Sequence, residues 1–179
     1  MEIKEAEKMF TEIYERESDS IFRYAFLRTS NREQALDIVQ DTFIRLWKAL
    51  MTQKQINHPK AFLFTITRNL IIDWYRKKKS LSIESVFGDG DDNDNSSSYL
   101  VDSTSYKRIQ FSAEIREVID VIGEMEPQYQ EILYLRLIED MLPQEIAKLL
   151  KITPNLASVR ITRGMDELRK KLGVISPSK

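Results

Sequence analysis

A chain of 179 residues with a formal net charge of −1, 42% hydrophobic and 31% charged, has the composition of a folded soluble protein, one domain or two small ones. It contains no cysteine and a single histidine, His58, which excludes disulfides, thiolate catalysis and cysteine zinc sites and argues against a Ser-His-Asp triad or a histidine-rich metal centre. No apolar run approaches the roughly 18 residues that span a bilayer, and the charged start MEIKEAEKMF lacks the apolar core of a signal peptide. The expectation is a cytoplasmic chain with no membrane insertion, no cofactor and no catalytic centre.

Taken in order, the apolar residues recur at helical rather than strand spacing. A first helix is expected to bury Phe10, Ile13, Tyr14, Ile21, Tyr24 and Ala25. A second carries Ala35, Ile38, Val39, Thr42, Phe43, Leu46, Trp47 and Leu50 on one side, opened by a capping box from Ser30 to Glu33. Asn57-His58-Pro59 is a break, with Pro59 suited to the first turn of a third helix that buries Leu63, Ile66, Leu70 and Trp74. The stretch GDGDDNDNSSS, Gly88 to Ser98, is too polar to bury a core and is predicted to be a flexible acidic linker. It lacks the glycine and the terminal glutamate that a calcium loop needs at fixed positions. Beyond it, Ile115, Val118, Ile119, Ile122 and Met125 define one helix, and Pro127 starts another with Ile132, Leu133, Leu137 and Ile138 inward. Two short helices follow, PQEIAKLL and PNLASVRITRGMDELRKKL. The predicted fold is all-α: two small helical domains, 1–79 and 112–173, joined by a linker at 80–111 and followed by a tail at 174–179.

The near-neutral total hides a segregation of charge that bears on partners. Lys60, Arg68, Arg76, Lys77, Lys78 and Lys79 stand against Asp73 alone between Pro59 and Lys79. Between Ser80 and Tyr106 there are only acids, and from Lys148 to Lys171 basic residues prevail again. The C-terminal pair of helices forms a helix-turn-helix pattern. Ile146, Ala147 and Leu150 face inward, KIT turns the chain with Thr153 as cap and Pro154 after it, and Ala157, Ile161, Gly164 and Leu168 continue the buried side. Asn155, Ser158, Val159, Thr162 and Arg163 are left outward, the short polar and basic set that major-groove reading requires.

In the third helix Thr65, Asn69, Ile72 and Arg76 lie opposite the predicted core, with Arg68 and Asp73 beside them. Such a surface reads a duplex poorly and suits unpaired bases, since an amide can bond a base edge and basic residues hold phosphate. By itself, the run Lys77 to Lys79 fits a solvated helix end complementing the dipole equally well. The second helix carries Asp37, Gln40, Asp41, Arg45 and Lys48 outward, and Trp47 there is either core or part of a partner-binding patch.

These segments, in this order, resemble a bacterial sigma factor of the extracytoplasmic-function (ECF) group. NREQALDIVQDTFIRLWKAL is similar to the region-two helix that docks on the clamp helices of the RNA polymerase β′ subunit. HPKAFLFTITRNLIIDWYRKKK resembles the helix that engages the −10 promoter element, and the stretch from Met125 to Leu172 resembles region four, which reads the −35 element. The resemblance implies an alternative sigma factor whose partners are core RNA polymerase (β′ clamp helices and the β subunit), promoter DNA and an anti-sigma protein. It assigns Asp37, Gln40, Asp41, Phe43, Leu46 and Trp47 to polymerase docking. It assigns Phe62, Thr65, Arg68, Asn69, Asp73, Arg76, Lys77 and Lys78 to the −10 contact, with Asn69 at a flipped base. Asn155, Ser158, Val159, Arg160, Thr162 and Arg163 fall to the −35 element, Arg160 near phosphate. The chain departs from the family pattern at Leu142-Pro143, where a Ser or Thr cap is usual, at Asp140 and Lys151, where glycine is common, and at Ala157, where Val or Ile is usual. The alternative is a conventional helix-turn-helix regulator of duplex operators with an N-terminal sensor or dimerisation module. It leaves the docking pattern and the basic-aromatic helix unexplained.

Overall fold

Seven helices account for almost all of residues 3–52, 55–83 and 112–173, which are the residues the computed structural model describes. The rest of the predicted linker, 84–111, and the predicted tail, 174–179, lie outside them. The chain divides into two compact units, in keeping with the two predicted domains.

The first unit is a bundle of α1 (Ile3–Thr29), α2 (Arg32–Met51) and α3 (Pro59–Ile83), each packed on the other two. α3 continues to Ile83, four residues into the segment the sequence assigned to the linker. α1 contributes Ala6, Ile13, Ile21, Tyr24 and Ala25 to the core, spaced by close to whole numbers of turns along one side of the helix. Its last residues, Phe26 to Thr29, are all buried. α2 presents Ala35, Ile38, Thr42, Phe43, Leu46 and Leu50. Burying each large apolar side chain stabilises the bundle by roughly 1.5–3 kcal/mol, and the Tyr24 and Phe64 rings meet at its centre with centroids 5.1 Å apart.

Two sequence expectations are corrected here. The cap of α2 is Asn31, whose Oδ1 accepts the Gln34 N–H at 3.0 Å, and not Ser30. Ser30 is taken up by the turn that ends α1: its φ is +51° and its N–H bonds the Phe26 carbonyl. The buried stripe of α3 is Leu63, Phe64, Thr67 and Ile71; Ile66, Leu70 and Trp74 are only half-buried. α3 carries apolar residues on several sides, so periodicity left its rotation open, and a buried threonine is indistinguishable in sequence from an exposed one.

The second unit contains α4 (Ala113–Gly123), α5 (Pro127–Leu137), α6 (Pro143–Leu150) and α7 (Pro154–Lys171). α5 is its centre, with Gln130 to Leu135 buried in succession and contacts to α4, α6 and α7. Ile119, Ile122 and Met125 come inward as expected, whereas Ile115 and Leu137 are exposed. Caps set most of the ends. Ser112 accepts the Ile115 N–H, Thr153 accepts the Leu156 N–H, and proline begins α5, α6 and α7. The Gln130 amide donates to the carbonyls of Gly123 and Met125, both at 2.9 Å, so a side chain of α5 closes the end of α4.

At α6, where the sequence lacks the usual cap, Leu142 supplies no acceptor. The Glu145 carboxylate accepts the Leu142 N–H at 2.9 Å, which is the other half of a capping box. Asp140 and Lys151 have φ of +48° and +56°, the left-handed region that glycine enters without steric cost. In α7, Gly164 is buried against α5: a Cβ there would stand 3.1 Å from Leu133 Cδ1 and 3.2 Å from Tyr129 Cδ1.

Candidate nucleic-acid and partner interfaces

On α3, Thr65, Asn69, Asp73 and Arg76 are exposed at spacings of four, four and three residues, which places them in one row. Phe62 and Arg68 flank the row half-buried, and Lys77 and Lys78 are exposed beyond it. The Thr65 hydroxyl donates to the Ala61 carbonyl at 2.7 Å, so its remaining capacity toward a ligand is as an acceptor. Lys78 Nζ stands 5.2 Å from the centroid of the Trp74 ring, which meets Tyr75 edge-on. That contact holds Lys78 over an aromatic face rather than leaving it as a loose surface charge. A side-chain amide at the middle of such a row, with cations at one end, can bond a base edge while phosphate is held nearby.

The outward side of α7 is different. Asn155, Ser158, Val159, Thr162 and Arg163 are exposed, and Arg160 is half-buried. Ser158 and Thr162 donate their hydroxyl protons back to the Pro154 and Ser158 carbonyls, both at 3.0 Å. Short side chains folded onto the helix keep its surface slim, as entry into a major groove requires. Leu156, which the sequence did not single out, is 38% exposed beside them. Two exposed apolar side chains, Leu156 and Val159, are suited to thymine methyl groups. Leu156 adjoins Ala157 at the edge of the buried side, where periodicity assigns neither face.

On α2, Asp37, Gln40 and Asp41 are exposed as a docking surface requires, and Trp47 is half-buried. Phe43 and Leu46 are buried. They are 4% and 0% exposed and belong to the bundle core, because the helical row that includes Ile38 and Thr42 turns them inward. Phe43 also lines a groove of ≈ 750 Å³ between α1 and α2, together with Phe10, Tyr14, Leu36, Ile44 and Trp47 among others. The rings of Phe10 and Trp47 meet edge-on at 5.6 Å and those of Tyr14 and Phe43 at 4.7 Å. Tyr14, Leu36 and Ile44 are each more than 40% exposed. Sequence reasoning placed Phe10 and Tyr14 in the core; an apolar side chain on the core edge and one on a binding patch share the same periodicity. Exposed apolar surface of this kind marks a protein-binding site.

Among the described residues no group of three or more His, Asp or Glu side chains is placed to hold a metal ion, and no helix is long and apolar enough to cross a membrane. Two family models match, in order: sigma-70 region 2 over residues 13–81 and sigma-70 region 4 over residues 115–168. Among curated proteins, the ECF RNA polymerase sigma factor SigX of Bacillus subtilis is 23% identical over 172 residues, covering 94% of this chain and 86% of that protein. The chain belongs to the ECF sigma factors.

SigW of the same organism is 26% identical over 165 residues, 91% of this sigma factor and 88% of its relative. The fold has a counterpart in the structure of RpoE from Bartonella quintana, solved in complex with the anti-sigma factor NepR, with a TM-score of 0.66 and 19% identity over 94% of this chain and 99% of that one. This chain is thus an alternative sigma factor of transcription initiation, its first unit a region two and its second a region four with a helix-turn-helix. A conventional operator-binding regulator leaves the region-two match without an explanation.

Proposed function

We propose that the two units of this sigma factor divide promoter recognition between melted and duplex DNA, with core RNA polymerase supplying all the chemistry. Region two docks on the β′ clamp helices through Asp37, Gln40 and Asp41 of α2 and through the groove edge at Trp47. Phe43 and Leu46 act from behind, by holding α2 in place. The α3 row then faces the −10 element: Asn69 receives an unpaired base, Thr65 and Asp73 lie to either side, and Arg76, Lys77 and Lys78 hold phosphate, with Phe62 and Arg68 at the flanks. Each stacked base contributes roughly 1–3 kcal/mol, which offsets part of the cost of opening the duplex.

Region four reads the −35 duplex through Asn155, Ser158, Val159, Thr162 and Arg163 of α7, with Arg160 at the phosphates. The observation that supports this division is the contrast between the two rows. One is centred on an amide beside cations on a long helix, and the other is a slim polar face behind a helix-turn-helix. The protein works in the cytoplasm and has no catalytic activity of its own. The exposed groove of region two also suits an anti-sigma protein that blocks docking. The decisive experiment is in vitro transcription with core polymerase and a random promoter library, in which the sigma factor is expected to select promoters carrying two separated elements. Failure to support initiation on any sequence would sink the proposal.

A further inference from the structure

We propose that two hydroxyl contacts on the hidden side of α3, Thr42 with Thr67 and Tyr75 with Arg28, are positioning elements. They fix the rotation and axial register of the helix so that Asn69 meets an unpaired promoter base. The inference rests on the reading of α3 as the −10 helix. Apolar packing between helices is non-directional and tolerates small slides and rotations, whereas a hydrogen bond across a seam specifies one arrangement. One residue of rotation is about 100° and would bring Arg68 or Leu70 to the place of Asn69.

Thr67 lies among Leu63, Phe64 and Ile71 with 0% exposure, and Thr42 faces it from α2, also at 0%. A valine would fill either place without burying a polar atom. The Thr42 hydroxyl lies 2.7 Å from the Ile38 carbonyl, the Thr67 hydroxyl 2.9 Å from the Leu63 carbonyl, and the two hydroxyl oxygens are 3.1 Å apart. Two protons therefore serve three contacts. The two carbonyls already belong to the helix ladders, so their hydroxyl bonds are expendable; the link between α2 and α3 is what a valine cannot supply.

The second tether is eight residues further, about 12 Å along the helix axis. There the Tyr75 hydroxyl donates to the carbonyl of Arg28, in the last turn of α1. That turn has no helical N–H for its carbonyls. Asn69 and Asp73 fall between the two tethers on the opposite, exposed side. α3 is thus held from α2 at one height and from α1 at another, with Asn69 and Asp73 bracketed by the two.

The test uses the holoenzyme on a promoter that it selects from the random library. Thr67→Val and Tyr75→Phe are compared with wild type for thermal melting, affinity for core polymerase, and permanganate reactivity of unpaired promoter thymines. Both variants are expected to keep polymerase affinity within about twofold and to lower promoter opening by up to roughly tenfold, the scale of one lost hydrogen bond. Thr67→Ser, which restores the hydroxyl, is expected to restore opening. Wild-type opening in both variants overturns the inference, as does an opening defect that only follows loss of folded protein and is not relieved by Thr67→Ser. Asn69→Ala is run in parallel. If it opens promoters normally, the reading of α3 fails and the positioning role with it. If Asn69→Ala is impaired while Thr67→Val and Tyr75→Phe are not, the positioning role alone fails.

Discussion

In region two, helices of 27, 20 and 25 residues share one core, and the helix that carries Asn69 is tied from behind by the side chains of Thr67 and Tyr75. In region four, helices of 11, 11, 8 and 18 residues are held by their ends: Ser112, Thr153, Glu145 and Gln130 all satisfy terminal backbone groups. The difference follows from length. Every helix leaves about four N–H and four C=O groups unsatisfied, which is a small fraction of a 27-residue helix and about half of an eight-residue one. Short helices therefore commit their polar side chains to caps. Long helices leave them free to link neighbours, and that freedom is what lets region two orient a helix face. Region four orients α7 instead by close approach, with Gly164 against Leu133 and Tyr129.

The largest effect that probes this contrast is expected at Leu46. Leu46→Ala opens a cavity in the region-two core and should cost about 2–5 kcal/mol, measured by denaturant unfolding. Trp47→Ala, one residue on, should instead weaken polymerase binding with a much smaller loss of stability. Equal stability losses in the two variants would place Trp47 in the core after all. Next comes Arg163→Ala, expected to cost about 1–3 kcal/mol in −35 duplex binding, read by titration of labelled duplex. Promoter opening on a pre-melted −10 template should not change. A defect on that template would mean that the two units do not divide the promoter as proposed.

Lys151→Gly should act in the opposite direction. A side chain in the left-handed region costs roughly 1–2 kcal/mol and glycine loses about 0.5–1 in entropy. The net gain of some tenths to ~1 kcal/mol should appear as a higher midpoint for region four alone. Asp140→Gly should gain less, since it gives up the 3.0 Å ion pair with Arg136. The last effect is at the start of α4. There the Glu114 carboxylate is held below its ordinary pKa, first by a bond from its own backbone N–H and then by one from Ser112. A folded-state pKa below the unfolded one stabilises above the unfolded value, and the contribution fades as pH falls through the folded value. Ser112→Ala should therefore raise the Glu114 pKa in an NMR titration and fray α4, at about 1 kcal/mol for the lost cap.

Much of this was legible in the residues. Thr153-Pro154 announced the start of α7, and its buried side was read at Ala157, Gly164 and Leu168. The missing cap at Leu142 and the unusual residues at Asp140 and Lys151 also pointed to real local features. Misreadings gathered where two chemical signals coincide. Ser30 and Asn31 are both good caps, and only the backbone of the turn chose between them. Phe43, Leu46, Phe10 and Tyr14 are all apolar at helical spacing. Whether such a residue packs in the core or lines a groove depends on where the neighbouring helix runs.

The sequence by itself determined the all-α class, the helix order and the family, because these follow from periodicity, caps and motif order, all local in the chain. Tertiary structure alone decided the rotation of α3, the burial of Thr42 and Thr67, and the groove between α1 and α2. Each depends on contacts between residues far apart in sequence, such as Thr42 with Thr67, Arg28 with Tyr75 and Tyr14 with Phe43. Periodicity places a residue on a helix; only the partner helix makes that place inside, outside or held.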